Sequence, residues 1–403
     1  MLLCRKIRLQ VSAQDAAALE FMQGKCRGLY NWWVLRLRDG ERWPGWQAAK
    51  ASLQDSRAHD PELAFVYGKL LHEVYFRLDT AMAAFFRRVQ AGDTPGFPRV
   101  RPRHAFFTLC YPAMYVKVEG DRLHLPTGGG GKSGIVKRFP NLVAKLTEPA
   151  PEQYREVAIS RDARGNYFAS FVAETPDEGP QEGGVLALDL GIKTLATGVN
   201  EQGRVYRIGG FKGHPWYNRQ LDTIRSKRDR CQKPSRRYLH LSRVYQRVAE
   251  RKRHKHRDCL HKAAHLIAHR LVESTVVIGD LSQRQMVTKA HQEKRRHLHR
   301  AVFNDWGLYS FTQMLEYKCW RFGKELHRFE ERYTSQDCSR CGQRQPMPLW
   351  KRTYRCGTCE LVMDRDENSA VNILQRFLAR LGPHTSSGEA CGVLRRRAAI
   401  TTC

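Results

Sequence analysis

The chain has 403 residues, 41% of them hydrophobic, which is enough material for two or more folded domains. It carries 69 lysine and arginine residues against 40 acidic residues, a formal charge of +29 at pH 7. Because a polyanion would neutralise this charge and release counterions, nucleic acid is the expected partner. The sequence shows no signal peptide and no apolar run near the roughly 18 residues of a membrane span, which argues against a membrane or secreted protein and for a cytoplasmic one.

The first part of the chain predicts a strand followed by two helices. The strand is predicted at residues 6–11, and Ser12 and Asp15 form a capping box that begins the first helix. The second helix is predicted to begin near Asp60 and to end at Gly92. These two helices would form a small helical module.

Short strands separated by turn residues dominate the region after residue 95. They are predicted at residues 106–111, 114–118, 122–125, 157–160 and 167–173. We expect the strand at 6–11 to join them. Residues 1–12 and 95–173 would then form a β-barrel or sandwich, with the helical module of residues 13–94 inserted into it.

A polar segment rich in glycine and proline, residues 174–184, is predicted to link this β structure to a second domain. Beyond it we predict three strands, a long basic helical stretch, a fourth strand and two more helices. Their ranges are 185–190, 195–199, 205–208, 218–272, 275–280, 308–322 and 367–381. This order is typical of an RNase H-like fold. Basic residues from Arg225 to Arg257 are expected to line a surface for a nucleic-acid backbone.

Two cysteine pairs near the end of the chain have the spacing of a metal site. Cys338 and Cys341 are separated by fourteen residues from Cys356 and Cys359. Four thiolates in two such pairs can enclose Zn²⁺ tetrahedrally. Since a closed site of four cysteines is structural, we predict one structural Zn²⁺ in a ribbon at residues 336–360. The other cysteines are scattered without such spacing, which fits a reducing compartment.

Two acidic residues far apart in the sequence are candidate ligands of catalytic metal ions. Asp189 lies within an apolar strand, where a charge is costly unless it is paired or binds a cation. Asp366 lies in the first turn of the last helix, just after Asp364, the predicted helix cap. Carboxylates that converge from distant elements can hold a pair of Mg²⁺ ions for phosphodiester hydrolysis. Asp189 could instead be a satisfied buried acid, and Asp366 could instead interact with the helix dipole in the first turn.

Taken together, these motifs resemble TnpB, the family of compact RNA-guided DNA endonucleases that insertion sequences encode and that are regarded as ancestral relatives of type V CRISPR effectors. The resemblance extends over nearly the whole chain. The stretches that carry it are Gly28-Leu29-Tyr30-Asn31-Trp32, Gly96-Phe97-Pro98, Leu188-Asp189-Leu190-Gly191-Ile192-Lys193, His261-Lys262, Leu315-Glu316-Tyr317-Lys318, Tyr333 to Gly342, and Asp364 to Asn368.

The resemblance implies a multidomain α/β fold with two main parts. Residues 1–12 and 95–173 would form a wedge β-barrel with an inserted helical recognition module. Residues 185–335 and 361–381 would form a RuvC nuclease domain, interrupted by the zinc ribbon as a target-strand-loading element, with a basic C-terminal tail at residues 382–403. The resemblance also implies a guide RNA and double-stranded target DNA as partners, cleavage beside a short adjacent motif, and association with the nucleoid when bound to DNA. We expect a monomer.

One departure from the family pattern concerns the third catalytic acid. The second RuvC motif usually presents glutamate where this chain has Gly279. Some relatives place that glutamate just before a Thr-Ser-x-x-Cys motif, where this chain has Glu330 and Glu331. The resemblance therefore implies Asp189, Glu331 and Asp366 as the catalytic ligands of two Mg²⁺ ions.

Several alternatives remain open from the sequence. Asp280 or Glu330 could replace the third ligand or support it from outside. A compact type V CRISPR effector would have the same sequence features, since the distinction lies in neighbouring loci. A nuclease-inactive RNA-guided DNA-binding repressor is also compatible, because Gly279 removes an acid. An unguided resolvase or transposase would act without RNA.

Overall fold

The computed structural model describes residues 2–129, 136–176, 178–191, 193–280, 300–330, 332–348, 350–382 and 397–400. The chain forms two compact units, Met1–Thr175 and Pro176–Cys403. Within the described ranges, no helix is both long enough and apolar enough to cross a membrane.

The first unit is built on a seven-stranded antiparallel sheet. Its strands are β1 (Leu2–Gln10), β2 (Leu109–Pro112), β3 (Lys117–Glu119), β4 (Arg122–Leu125), β5 (Leu142–Leu146), β6 (Glu156–Arg161) and β7 (Tyr167–Glu174), in the order β2-β6-β7-β1-β5-β4-β3. The strand expected at the start of the chain does join this sheet, between β7 and β5. Strand β5 was not predicted, because the outward-facing Val143 obscures its alternation of buried and exposed residues.

This sheet is curved, as the predicted β-barrel requires. Its edge strands β2 and β3 are consecutive in the chain and are joined by one turn of 3-10 helix, Ala113–Tyr115. Pro112 and Lys117 are therefore within about 18 Å of each other, whereas a flat sheet of this size would separate its edges by about 28 Å. The strand predicted at 114–118 is wrong in its first half, since those residues form the turn.

In its described residues, the first unit has four α-helices: α1 (Ala13–Arg38), α2 (Trp46–Ala51), α3 (Leu53–His59) and α4 (Gly68–Gln90). Ser12 caps α1 as predicted, accepting a hydrogen bond from the N–H of Asp15 at 3.0 Å. Asp60 does not cap α4; it caps a short 3-10 helix, Pro61–Phe65, and α4 begins after it. Helices α2 and α3 were not predicted, because each buries a single residue and so leaves almost no apolar pattern.

The second unit contains a six-stranded sheet and a small two-stranded one. The larger sheet has the strands β8 (Val185–Leu190), β9 (Ala196–Asn200), β10 (Val205–Ile208), β11 (Thr275–Gly279), β12 (Glu325–Phe329) and β15 (Arg397–Ile400), in the order β12-β11-β8-β9-β10-β15, and the smaller pairs β13 (Thr353–Arg355) with β14 (Val362–Asp364). Strands β8, β11 and β12 run parallel to one another. Strand β12 was not predicted, since only Leu326 and Phe329 in it are apolar. Strand β15 comes from the predicted basic tail and pairs in parallel with β10.

Helices cover both faces of the larger sheet, as expected for an RNase H-like fold. They are α5 (His214–Asp229), α6 (Arg236–His265), α7 (Leu308–Arg321) and α8 (Arg365–Leu381), and α6 continues into a π-helical turn, Leu266–Arg270. The predicted long basic helix is thus two helices, interrupted at residues 230–235. Leu186 and Leu188 of β8 pack in the core formed with α6 and α7. Val185 and Ala187 pack in the core formed with α8.

Part of the predicted linker is bound to the second unit. The N–H of Glu178 donates to the carbonyl of Arg321 at 2.9 Å, and the N–H of Gln181 donates to the carbonyl of Gly323 at 3.0 Å. These backbone bonds anchor the segment just before it enters β8, despite its loop-like composition.

Candidate metal centres

Three parallel strands of the second unit end at one edge of the sheet, where acidic residues accumulate. Asp189 is the penultimate residue of β8, Asp280 directly follows β11, and Glu330 directly follows β12. The N–H of Asp280 donates to the carbonyl of Phe329 at 2.8 Å, so the ends of β11 and β12 lie side by side. The carboxyl ends of parallel strands are where open α/β sheets place their ligand sites.

Helix α8 brings Asp366 to this edge. Asp364 caps the helix by accepting a hydrogen bond from the N–H of Asp366 at 2.9 Å, as predicted. A Cβ placed on Gly191 would lie 3.9 Å from the Oδ2 of Asp366. Since Gly191 stands two residues after Asp189, both candidate ligands lie at the end of β8. Asp366 is 9% exposed, and Asp189 is half-buried.

Alternation along the strands separates the remaining candidates. Side chains two residues apart in a strand share a face. Asp189 is therefore in step with Val185 and Ala187, which pack in the core formed with α8. Asp280 is in step with Val276 and Ile278, which belong to the opposite core.

Of the two glutamates that follow β12 in the sequence, only Glu330 lies among the described residues. Glu330 is exposed and forms an ion pair with Arg332 at 3.1 Å. Glu331 lies outside the described residues. The structure therefore brings Asp189 and Asp366 together and leaves the third acid open.

Arginine side chains surround Asp366, and sequence reasoning missed them. Arg365 donates to Asp366 Oδ1 at 3.0 Å, and Arg352 reaches both carboxylate oxygens at 3.4 Å. The next residue, Glu367, is 1% exposed and forms an ion pair with Arg207 on β10. Arg352 comes from the segment between the cysteine pairs, and no local motif marks it.

The four cysteines converge as the sequence predicts. Their sulfur atoms all lie within 4.8 Å of one another, with 3.5 Å between Cys338 and Cys359 and 3.6 Å between Cys341 and Cys356. A tetrahedron with metal–sulfur bonds of about 2.3 Å has edges of about 3.8 Å, which fits this arrangement. Hydrogen bonds from the N–H groups of Cys359 and Thr358 lower the pKa of Cys356 to about 6, which favours its thiolate form. This is a structural metal site.

Helix α8 connects the cysteine site to the acidic edge. Asn368 is fully buried; its amide donates to the carbonyl of Asp337 at 2.8 Å, and its oxygen accepts from the N–H of Ser339 at 3.0 Å. One turn later, Asn372 donates to the carbonyls of Thr334 and Asp337, each at 2.8 Å. The first cysteine pair is therefore clamped to the helix that carries Asp366. The sequence places Asn368 in the stretch from Asp364 to Asn368 that carries the family resemblance, but it does not indicate this role.

The predicted basic surface lies on α5 and α6. Arg228 covers the rings of Tyr238 and Tyr245, with its guanidinium carbon 5.9 and 5.3 Å from the ring centroids. Trp216 is 53% exposed. Aromatic side chains in a basic surface can stack on nucleic-acid bases, but Tyr238 and Tyr245 are already covered by an arginine of the same unit.

Comparison with known proteins agrees with these features. Residues 309–373 match the family model of the Cas12f1-like TNB domain, and residues 170–290 match the model named OrfB_IS605, described as a probable transposase. The chain is 29% identical to a "Putative RNA-guided DNA endonuclease" of Streptomyces pristinaespiralis, over 96% of this chain and 90% of that protein.

Two further comparisons cover a part of the chain and its fold. This chain is 30% identical to the TnpB-like protein L79 of Acanthamoeba polyphaga mimivirus, over 35% of this chain and 26% of that protein. Its fold is similar to that of Cas12f1, solved with sgRNA and target DNA, with a TM-score of 0.61, 12% identity, and coverage of 93% of this chain and 98% of that one. With the acids of β8 and α8 at one edge and a four-cysteine site clamped beside them, the chain belongs to the TnpB family.

Proposed function

We propose that this protein is an RNA-guided DNA endonuclease that cleaves double-stranded DNA beside a short adjacent motif. A guide RNA would supply sequence specificity by base pairing, and the protein would hold the backbones of both nucleic acids. The formal charge of +29 supports this role, as does the similarity to a protein named as an RNA-guided endonuclease over 96% of the chain. We propose that it acts as a monomer.

The observation that carries the proposal is the position of the Asp366 carboxylate beside Gly191, at the end of the strand that holds Asp189. Carboxylate oxygens are the ligands that Mg²⁺ prefers, and this edge gathers them from distant parts of the chain. Glu331 is the third ligand we propose. Its support is the resemblance to relatives that carry this glutamate just before a Thr-Ser-x-x-Cys motif, the position of Glu331 in this sequence.

Two Mg²⁺ ions held by Asp189, Glu331 and Asp366 would activate water and stabilise the leaving oxygen of the phosphodiester. The protein's own contribution is placement. Asp189 is fixed by the pairing of β8, and Asp366 by the Asp364 cap and the two arginines around it. Arg352 is 39% exposed, and its contact with Asp366, at 3.4 Å, is at the long end of the hydrogen-bond range. Its guanidinium is therefore available to a backbone phosphate.

A single structural Zn²⁺ in the four-cysteine site is part of the proposal. The site is closed by four protein ligands, so it offers no open position for water or substrate. Its role is to stabilise the ribbon that presents Arg352 to Asp366.

A second candidate, a guided DNA-binding protein without nuclease activity, is favoured by Gly279. Strand β11 pairs Ile278 with Leu188 of β8, so the next position along, beside Asp189, carries no side chain. If Glu331 does not replace the missing acid, the metal site would lose one ligand.

Cleavage of a matched plasmid by guide-loaded protein in Mg²⁺ separates these candidates. We expect the wild type to cleave the plasmid. Asp189→Ala and Asp366→Ala should cleave at least about 100-fold more slowly and still bind the target, because even residues that only support metal ligands typically contribute 10–100-fold to activity. Arg380→Ala, at an exposed cation outside the predicted basic surface, is the control. Stable target binding by the wild type without scission would establish the binding protein and refute the nuclease.

A further inference from the structure

Five basic residues of the second unit form a cluster between α6 and α7. Arg257, His261 and His265 follow one another at four-residue intervals along α6, and Lys318 and Arg321 are one turn apart on α7. Residues four apart on a helix lie on one face. We call these five residues the interhelical cluster.

The two helices run side by side in the same direction, which brings the cluster together. A Cβ placed on Gly307, just before α7, would lie 2.7 Å from the ring of His256. Phe322, just after α7, contacts His265 and His269, with ring centroids 5.6 and 4.7 Å apart. The basic side chains between these two contact points therefore share one groove.

His261 has one contact along α6 and one that joins α6 to α7. The Nε of Arg257 lies 3.4 Å from the Nε2 of His261, and the hydroxyl of Tyr317 lies 3.4 Å from the Nδ1 of the same histidine. His261, His265 and Lys318 are half-buried, so they are not freely solvated surface charges.

Acidic partners are missing from the cluster. Throughout the part of the chain that the structure describes, no carboxylate forms an ion pair with Lys318, Arg321, Arg257 or either histidine. The nearest acid on α6, Asp258, is paired with Lys262 at 2.7 Å. By contrast, half-buried Lys252 of the same unit has an acidic partner, Asp305, at 2.6 Å.

The unpaired cations affect one another's protonation. Burial, together with the charge of Arg321, lowers the pKa of Lys318. Burial, together with the charges of Lys318 and Arg257, lowers the pKa of His261. Partial burial of like charges is costly unless an anion compensates them. The groove is therefore built for a ligand with several negative charges.

We propose that the interhelical cluster binds the phosphates of a nucleic-acid backbone in the groove between α6 and α7. Lys318 is the central point charge, and the guanidinium groups of Arg257 and Arg321 offer paired donors to phosphate oxygens. The proposal rests on the proposed function, which supplies two possible sources of such phosphates, the guide RNA and the target DNA.

The test compares two double variants with the same loss of charge. Lys318→Gln/Arg321→Gln removes two cluster members, and Lys212→Gln/Arg380→Gln removes two exposed cations of the same unit that lie outside both the cluster and the basic stretch from Arg225 to Arg257. Two labelled probes are used: an RNA with the sequence that copurifies with the protein, and a matched DNA duplex added to guide-loaded protein without divalent metal. Affinity is measured for each over a range of salt concentrations.

We expect the cluster variant to lose about tenfold or more in affinity for one probe and to flatten its salt dependence by about two in slope, or about one per phosphate contact. Loss with the RNA probe identifies the guide as the source of the phosphates, and loss with the DNA probe alone identifies the target. Equal losses from the two double variants would overturn the proposal. If the two double variants differ in affinity as expected but the guide-loaded wild type does not cleave matched DNA, only the proposed function is refuted.

Two further measurements separate binding from a structural role. Removing repelling cations should leave the thermal unfolding midpoint unchanged or higher, whereas a structural role would lower it.

A phosphate should also raise the depressed pKa values of His261 and His265, so binding takes up protons and affinity rises as the pH falls from about 7.5 to about 5.5. His261→Gln/His265→Gln should reduce this pH dependence; an unchanged dependence would count against the cluster. The charged groups that face these histidines are Arg257, Asp258, His269 and Arg270 beside them and Lys318 and Arg321 on α7.

Discussion

At the scale of single residues, strand alternation decides which acids can act together. Asp189 is in step with the residues of β8 that pack against α8, the helix that carries Asp366. Asp280 is in step with residues that pack on the other face. An acid at the correct edge of the sheet can therefore still point to the wrong side of it.

The resemblance names Glu331 as the third ligand, and the alternation turns Asp280 away from Asp189. Glu331→Ala should slow cleavage at least about 100-fold, whereas Asp280→Ala should leave the rate within a few-fold of the wild type. Single-turnover cleavage of a matched duplex by guide-loaded protein measures both. The reverse result, with Glu331→Ala active and Asp280→Ala inactive, would assign the ligand to the end of β11 instead.

Arg352 shows what residue-level sequence reading misses. Its contact with Asp366 joins two segments that meet only after the ribbon has folded back on α8. The caps at Ser12 and Asp364, in contrast, were correctly predicted, because a cap depends on residues two or three positions away.

At the scale of elements, α8 serves both the acidic edge and the ribbon. Its first turn carries Asp366, and Asn368 and Asn372, on the same helix, hold the segment that leads into the first cysteine pair. Buried amide groups that satisfy several backbone atoms at once are costly to remove, at about 1–3 kcal/mol for each group left unpaired. Loss of these amide groups should therefore loosen both the ribbon and the acidic edge.

Asn368→Ala tests this coupling. We expect faster hydrogen exchange at the N–H of Ser339 and through the first cysteine pair, because the acceptor of that N–H is lost. Cleavage should slow as well, since Arg352 is presented by the same ribbon. Arg380→Ala, in the last turn of the same helix, is the control. Exchange equal to that of the wild type would show that Asn368 does not hold the ribbon.

The cysteine site predicts one bound zinc ion per chain. Cys338→Ser should lose the metal and expose the ribbon to proteases, because a structural zinc site contributes folding free energy directly. Cys4→Ser, at an exposed free cysteine of the first unit, should keep both the metal and the resistance. Metal content after denaturation and limited proteolysis provide the two readouts. A full zinc content in Cys338→Ser would contradict the assignment.

At the scale of the whole molecule, the charge of +29 predicts association with nucleic acid that depends strongly on salt. We expect the logarithm of the affinity for RNA to fall with the logarithm of salt concentration with a slope of about −4 or steeper, as about six phosphate contacts would give. Asp366→Ala should show the same slope, because the acidic edge is a small part of this charge. A slope near zero would mean that the basic surface is not the means of binding.

Local patterns in the sequence determined the caps at Ser12 and Asp364, the four metal-binding cysteines and most of the strands, because each depends on residues close together in the chain. The family followed from motifs spread over nearly the whole sequence. Strands β5 and β12 escaped prediction, since an outward valine blurs one and polar residues fill the other. Only the tertiary structure decided that Asp366 stands beside Gly191, that Arg352 reaches it, and that a groove of unpaired cations lies between α6 and α7. Such contacts join distant segments through packing and backbone pairing, which leave no periodic trace in the order of the residues.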